Sequence, residues 1–93
     1  MVVGTAEIQI HIPQSRSLKD KRQVLRSLKE RVRSRFNVSI AEVDHQDLWQ
    51  RAALGVATVA TDAVFAQQVL SEVLRMVEAE GRLAVLDVQV EMR

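Results

Sequence analysis

The chain has 93 residues, of which 47% are hydrophobic and 27% are charged, and its formal net charge is +1. This length suits one core, so we predict a single domain over residues 1–93. The absence of cysteine excludes disulfides and thiolate metal sites and favours a reducing, cytoplasmic location. No apolar run approaches the roughly 20 residues of a membrane span, and the N-terminus lacks the pattern of a signal peptide.

The first predicted element is a strand over Ala6–Ile12. In its sequence "AEIQIHI", apolar and polar residues alternate with the period of two that is typical of a half-buried strand. Pro13 has no N–H to donate to a sheet, so we expect the strand to end there.

A helix is predicted next, with Ser17 as its N-cap and Asp20 in its first turn. Its apolar residues recur at spacings of three, four and seven, as on one face of an α-helix. We expect this helix to run to about Arg35 and Phe36 to anchor its end. The apolar face consists of Leu18, Val24, Leu25, Leu28 and Val32.

Four further elements are predicted after this helix, in the order strand, strand, helix and strand. "NVSIAEVD" and "QRAALGVATVA" read as strands joined by "HQDLW", and imperfect alternation in the first predicts a bulge or register change. A second helix is predicted from an N-cap at Asp62 to a C′ residue at Gly81. "LAVLDVQVEM" alternates again and predicts the last strand. The second helix's apolar stripe is Val69, Leu70, Val73, Leu74 and Val77.

The resulting order, β-α-β-β-α-β, is the ferredoxin-like pattern. We therefore predict an α+β fold in which two helices cover one face of a four-stranded antiparallel sheet. The other face of the sheet is expected to be open to solvent.

Positive charge is concentrated in one segment of the chain. Residues 15–35 contain nine bases and two acids, a net charge of +7, whereas the remainder contains four bases and ten acids, a net charge of −6. At 100° per residue, five of these bases share one helical stripe about 80° wide and roughly 21 Å long. We call this stripe the basic ridge: Lys19, Arg22, Arg26, Lys29 and Arg33.

Two interpretations of the basic ridge remain open. It is either an ordinary solvent-exposed helix surface faced by acids from "EVDHQD" or the second helix, or a site that binds phosphates, which guanidinium groups grip bidentately. Arg16, in the turn before the helix, extends the candidate nucleic-acid site. Binding to a membrane surface is disfavoured, because the helix's apolar face is committed to the core.

The aromatic residues limit the kind of nucleic acid that the ridge would bind. The chain has only Phe36, Trp49 and Phe65, and none is predicted on the open face of a central strand, where single-stranded bases stack in an RNA recognition motif. We therefore expect contacts to the phosphate backbone of structured RNA, with a steep salt dependence.

Enzymatic chemistry is not expected. No nucleophile has a positioned base, and no cofactor motif is present. The turn "PQSRS" lacks the glycines of a phosphate-cradling loop, so capping is the expected role of Ser17. Asp44, His45 and Asp47 share one loop without the further ligands that a metal site needs, so no metal is expected.

An alternative function is a protein–protein adaptor or homodimer. Trp49 is either a structural residue packed over the sheet edge or an interface anchor, a role in which tryptophan is enriched. The open sheet face is a second candidate interface, because it mixes small and polar residues and an exposed patch that is not very polar often binds a partner or a second copy. It is predicted to carry Thr5, Glu7, Gln9, Ser39, Ala41 and Val43.

The segments "SLKDKRQVLRSLKERVRSRFNVSIAEVD" and "HQDLWQRAALGVATVATD" closely resemble the YlxP-like family of small bacterial proteins, a domain of unknown function. The resemblance extends over essentially the whole chain and implies the ferredoxin-like fold. The family's genes lie near those for translation initiation and ribosome maturation factors, and no catalytic residues carry over from it. We therefore predict a non-enzymatic protein associated with structured RNA or with ribosomal assembly.

Overall fold

The computed structural model describes residues Met1–Arg93. Its element order confirms the predicted β-α-β-β-α-β pattern. The elements are β1 (Val2–His11), α1 (Leu18–Arg35), β2 (Ser39–Asp44), β3 (Arg51–Ala60), α2 (Ala63–Glu78) and β4 (Ala84–Met92).

The four strands form one antiparallel sheet in the order β2-β3-β1-β4. Alternate residues of the two central strands, among them Ile8 and Leu54, are buried and join the apolar faces of α1 and α2 in one core. Both helices therefore cover the same face of the sheet, and the other face is open, as predicted. Neither helix combines the length and apolar character that crossing a bilayer requires.

The first strand is longer than predicted. β1 begins at Val2 rather than at Ala6, and it pairs with β3 from Val2 opposite Ala60 to His11 opposite Arg51. Because β1 has hydrogen-bonded neighbours on both sides, its early residues are held in the sheet although their apolar–polar alternation is weak.

The irregularity predicted in β2 is a shift in its pairing with β3 between Glu42 and Asp44. The extra residue, Val43, lies on the open face over Gly55. A Cβ atom at Gly55 would be 2.8 Å from Val43 Cγ1, which explains why a glycine occupies this position. β4 has a similar shift, which leaves Leu86 without a partner on β1 and 52% exposed.

Both predicted helix N-caps are confirmed. The Ser17 hydroxyl accepts a hydrogen bond from Asp20 N at 3.0 Å, and the Asp62 carboxylate accepts one from Phe65 N at 2.8 Å. Each side chain satisfies an amide that the helix leaves without a partner.

The predicted end of α2 at Gly81 is wrong. The helix ends at Glu78, with Ala79 as C-cap in right-handed conformation, and no glycine of the chain has a positive φ. Glu80 N donates to Val77 O at 3.1 Å, so the final turn closes without the left-handed residue for which glycine is favoured.

Candidate nucleic-acid interface

The basic ridge is a row of accessible cations in the structure. Lys29 is half-buried and the other four side chains are exposed. None of the five forms a salt bridge with an acid. The acids expected to face the ridge from the second helix are engaged elsewhere or lie away from it, so its positive charge is not neutralised by ion pairs.

The ridge runs beside β2, the edge strand of the sheet. Arg22, Arg26, Lys29 and Arg33 line a shallow groove of about 300 Å³ together with Leu25, Glu30 and Glu42. Arg33 Nη2 donates to Ile40 O of β2 at 2.7 Å. This bond occupies a strand-edge carbonyl and fixes one end of the ridge against the sheet, so Arg33 is less free than the other ridge residues to meet a ligand.

Lys21 of α1 has a structural role beside the ridge that was not predicted from the sequence. Its side chain is only 1% exposed, and Nζ lies 2.8 Å from Glu42 Oε2. The same ammonium donates to three backbone carbonyls in or beside the β2–β3 loop, at 2.8 to 3.3 Å: those of His45, Gln46 and Arg51.

Helical spacing is the signal that identifies Lys21 as a core-facing residue. It precedes Leu25 by four residues and Leu28 by seven, so it lies on the apolar face rather than on the ridge. A buried charge is retained where it is paired and hydrogen-bonded, and here all three N–H groups have partners. Glu42, which lines the groove, therefore forms its salt bridge with the core-facing Lys21 and not with a ridge residue.

The turn before α1 is fixed by contacts with the β2–β3 loop. Gln50 Nε2 donates to Pro13 O and to Ser15 O, each at 3.1 Å, and Ile12 N donates to Gln50 O at 2.8 Å. Ser15 is buried and its hydroxyl donates a hydrogen bond to Ser17 O, so this side chain stabilises the turn. Arg16 is exposed, and its backbone N–H donates to the Asp20 carboxylate at 2.9 Å.

The loop between β2 and β3 contains the three residues considered for a metal site. His45 has a φ of 62°, and its Nε2 lies 3.2 Å from Gln9 Oε1, while the Asp44 carboxylate accepts a hydrogen bond from His45 N. No group of three metal-binding side chains occurs in the structure. These contacts shape the loop, from which Leu48 and Trp49 project with 43% and 56% of their surfaces exposed.

On another flank of α1, two arginines clamp a buried carboxylate. Glu80 is 8% exposed and forms salt bridges with Arg31 of α1 and with Arg82. The hydrogen bonds from the Arg82 side chain, helped by those from Arg82 N and Arg31, lower the pKa of Glu80 from 4.5 to about 2 against the opposing effect of burial. This clamp connects α1 to the turn before β4.

We expect Glu80→Gln to weaken the fold at neutral pH and not in strong acid. Because the pKa of Glu80 is lower in the folded than in the unfolded chain, its contribution is complete above pH 4.5, is much reduced at pH 2.5 and is lost as the pH falls through about 2. The loss at pH 7 should be about 1–2 kcal/mol, since both arginines are half exposed to screening solvent. Urea unfolding of both proteins at pH 7 and pH 2.5 measures it; an equal difference at both pH values would contradict this role.

The open sheet face forms a broad groove of about 510 Å³. Its floor contains Ala41, Gly55 and Ala57, while Glu7 and Glu91 contribute negative charge and Glu91 pairs with Arg93. No aromatic residue lines this groove, as expected from the predicted positions of the three aromatic residues. The protein–protein alternative, through this face or Trp49, stays a prediction.

These features define a small ferredoxin-like protein with a basic row on its first helix and an acidic, open sheet. The chain belongs to the family described as "Protein of unknown function (DUF503)", which it matches over residues 3–90. This membership confirms the predicted resemblance. The chain is also 40% identical over 78 residues to the Bacillus subtilis "Uncharacterized protein YlxP", covering 84% of this chain and 85% of that protein.

Two designed proteins are similar to the chain in structure. The de novo designed protein Foldit4 superposes with a TM-score of 0.53 and 15% identity, covering 98% of this chain and 93% of the design. The de novo designed protein Ferredog-Diesel gives a TM-score of 0.52 and 18% identity over 96% of this chain and 83% of the design. At these identities the likeness concerns the fold alone.

Proposed function

We propose that the protein is a non-enzymatic RNA-associated factor that binds the phosphate backbone of structured RNA through the basic ridge, and that it acts near translation or ribosome maturation. The observation that carries this proposal is the row of five cations without a salt bridge, held on a rigid helix. Five exposed or half-buried basic side chains along one helix face provide repeated phosphate contacts without reading the base sequence.

The distribution of negative charge supports binding of RNA on the helix side of the protein. Glu7, Asp87 and Glu91 are exposed on the open face of the sheet, opposite the helices. A polyanion is repelled from that face and attracted to α1, so the molecule's charge asymmetry favours approach to the ridge.

The ridge also favours a duplex over a flexible single strand. Its cations follow one α-helix for roughly 21 Å, and an RNA duplex displays its phosphates along a stiff path. The absence of aromatic residues from the open face removes the stacking platform on which sheet-based single-strand recognition depends. The ridge would then recognise the shape of the RNA phosphate backbone rather than its bases.

We expect binding to an RNA duplex of about 16 base pairs to fall steeply with salt. Neutralisation of four or five phosphates predicts a slope of log K against log salt between about −3.6 and −4.5. Fluorescence anisotropy of the labelled duplex, titrated with the protein at salt concentrations between about 50 and 200 mM, measures this slope. A DNA duplex of the corresponding sequence, which lacks the 2′-hydroxyls, serves as the comparison that tests whether RNA geometry matters.

The proposal fails if the protein does not bind the duplex at the lowest salt concentration, or if its affinity is independent of salt. A slope clearly steeper than −4.5 would indicate that further cations, Arg16 among them, contact the RNA phosphates.

A further inference from the structure

Trp49 is the only tryptophan in the chain, and the structure leaves 56% of it exposed. Its neighbour Leu48 is also exposed, but the surrounding loop is otherwise polar, with Gln46, Asp47 and Gln50 exposed beside it. This is a small apolar spot in a polar setting. It offers one aromatic surface rather than the wide, well-packed patch that anchors a protein partner.

The backbone that carries Trp49 is held on both sides. Before it, the buried Lys21 ammonium binds the carbonyls of His45 and Gln46, and Leu48 N donates to His45 O at 3.0 Å. After it, Gln50 is tied to the turn preceding α1. An exposed aromatic side chain on so constrained a loop is pre-organised, which reduces the entropy that a ligand must overcome on binding.

The loop that contains Trp49 lies next to the N-terminal turns of α1, where the basic ridge begins. The ridge lies along β2, with Arg33 bonded to Ile40 and Arg22 in the groove that includes Glu42. β2 ends two residues after Glu42, and the loop with Trp49 follows directly. Lys21 joins that loop to the first turns of α1, where the ridge begins.

We propose that Trp49 is a stacking platform for an unpaired nucleobase at the end of an RNA duplex whose phosphates lie on the basic ridge. This inference rests on the proposed function and adds the class of ligand: a duplex with a single-stranded extension. Every base presents a π-face, so an exposed indole beside a phosphate-binding row captures the first unpaired base without selecting its identity. Structured RNA that carries an unpaired extension is then bound preferentially at the junction, while a blunt duplex still binds the ridge more weakly.

The test uses the full chain and two RNAs: a blunt duplex and the same duplex with a three-nucleotide overhang. We expect the overhang to improve affinity at least fivefold, the size of a modest stacking contribution. Fluorescence from the single tryptophan should be quenched more by the overhang RNA than by the blunt one. Trp49→Ala should remove the affinity difference and leave blunt-duplex binding unchanged, whereas Trp49→Phe should keep part of it.

Leu48→Ala is the matched control, because it removes the neighbouring exposed apolar group and leaves the indole in place. Equal affinity for the two RNAs, or equal quenching by both, overturns the stacking role while leaving the proposed function intact. Failure to bind either RNA at low salt overturns the proposed function and this inference together. Far-UV circular dichroism checks that each variant is folded.

Discussion

Replacing Lys21 with methionine is expected to lower the free energy of unfolding by about 2–4 kcal/mol. Methionine keeps much of the apolar stem but removes the ammonium, which leaves Glu42 as an unpaired, largely buried charge. Three backbone carbonyls also lose a donor. The loss should stay below the upper limit for a broken buried pair, because Glu42 is 17% exposed and gains some hydration.

Urea unfolding followed by far-UV circular dichroism measures this effect. Lys19→Met is the matched control, since it makes the same chemical change two residues away at an exposed ridge position and should alter stability by less than about 0.5 kcal/mol. The double variant Lys21→Met with Glu42→Gln should recover part of the loss, because it removes the unpaired carboxylate. Equal stabilities for the two single variants would contradict the role assigned to Lys21.

Neutralising three ridge residues is expected to weaken binding to an RNA duplex about 100-fold at low salt. The variant changes Arg22, Arg26 and Lys29 to glutamine, each removing a phosphate contact of about 1 kcal/mol. The slope of log K against log salt should become shallower by about 2.7. Arg33 is left unchanged because its bond to Ile40 O also supports the sheet edge. Anisotropy with the labelled duplex measures both quantities.

The control for this variant introduces the same change in net charge on the other helix. Gln67, Gln68 and Ser71 of α2 are exposed, and their replacement by glutamate adds three negative charges away from the ridge. This control should retain most of the wild-type affinity, because exposed charges beyond a Debye length are screened. If both variants lose affinity equally, overall charge rather than the ridge drives binding.

The elements and their order follow from local patterns, and so they were predictable. Alternation predicted the strands, the three-four spacing predicted the helices, and Ser17 and Asp62 predicted where the helices begin. The extent of β1 was not predictable to the same degree, because pairing with Ala60 of β3 draws Val2 into the sheet. The end of α2 was misplaced because a glycine suggested a left-handed cap, whereas a right-handed turn at Ala79 closes the helix.

The candidate site shows the same division between local and long-range information. Helical periodicity was enough to place the basic ridge on one stripe, because each position depends only on rotation about the helix axis. Whether acids neutralise that stripe depends on residues distant in sequence. Glu42 reaches Lys21 rather than the ridge, and Arg33 reaches the edge of β2, and neither contact has a signature in the spacing of the residues.

The sequence by itself determined the fold class, the core faces of both helices and the alignment of five cations, since all of these depend on periodic patterns within single elements. Only the tertiary structure decided that Lys21 is buried among carbonyls from a loop more than 20 residues away, and that this loop carries an exposed Trp49 next to the first turns of α1. Such contacts arise from packing between elements, which the pattern within an element does not encode.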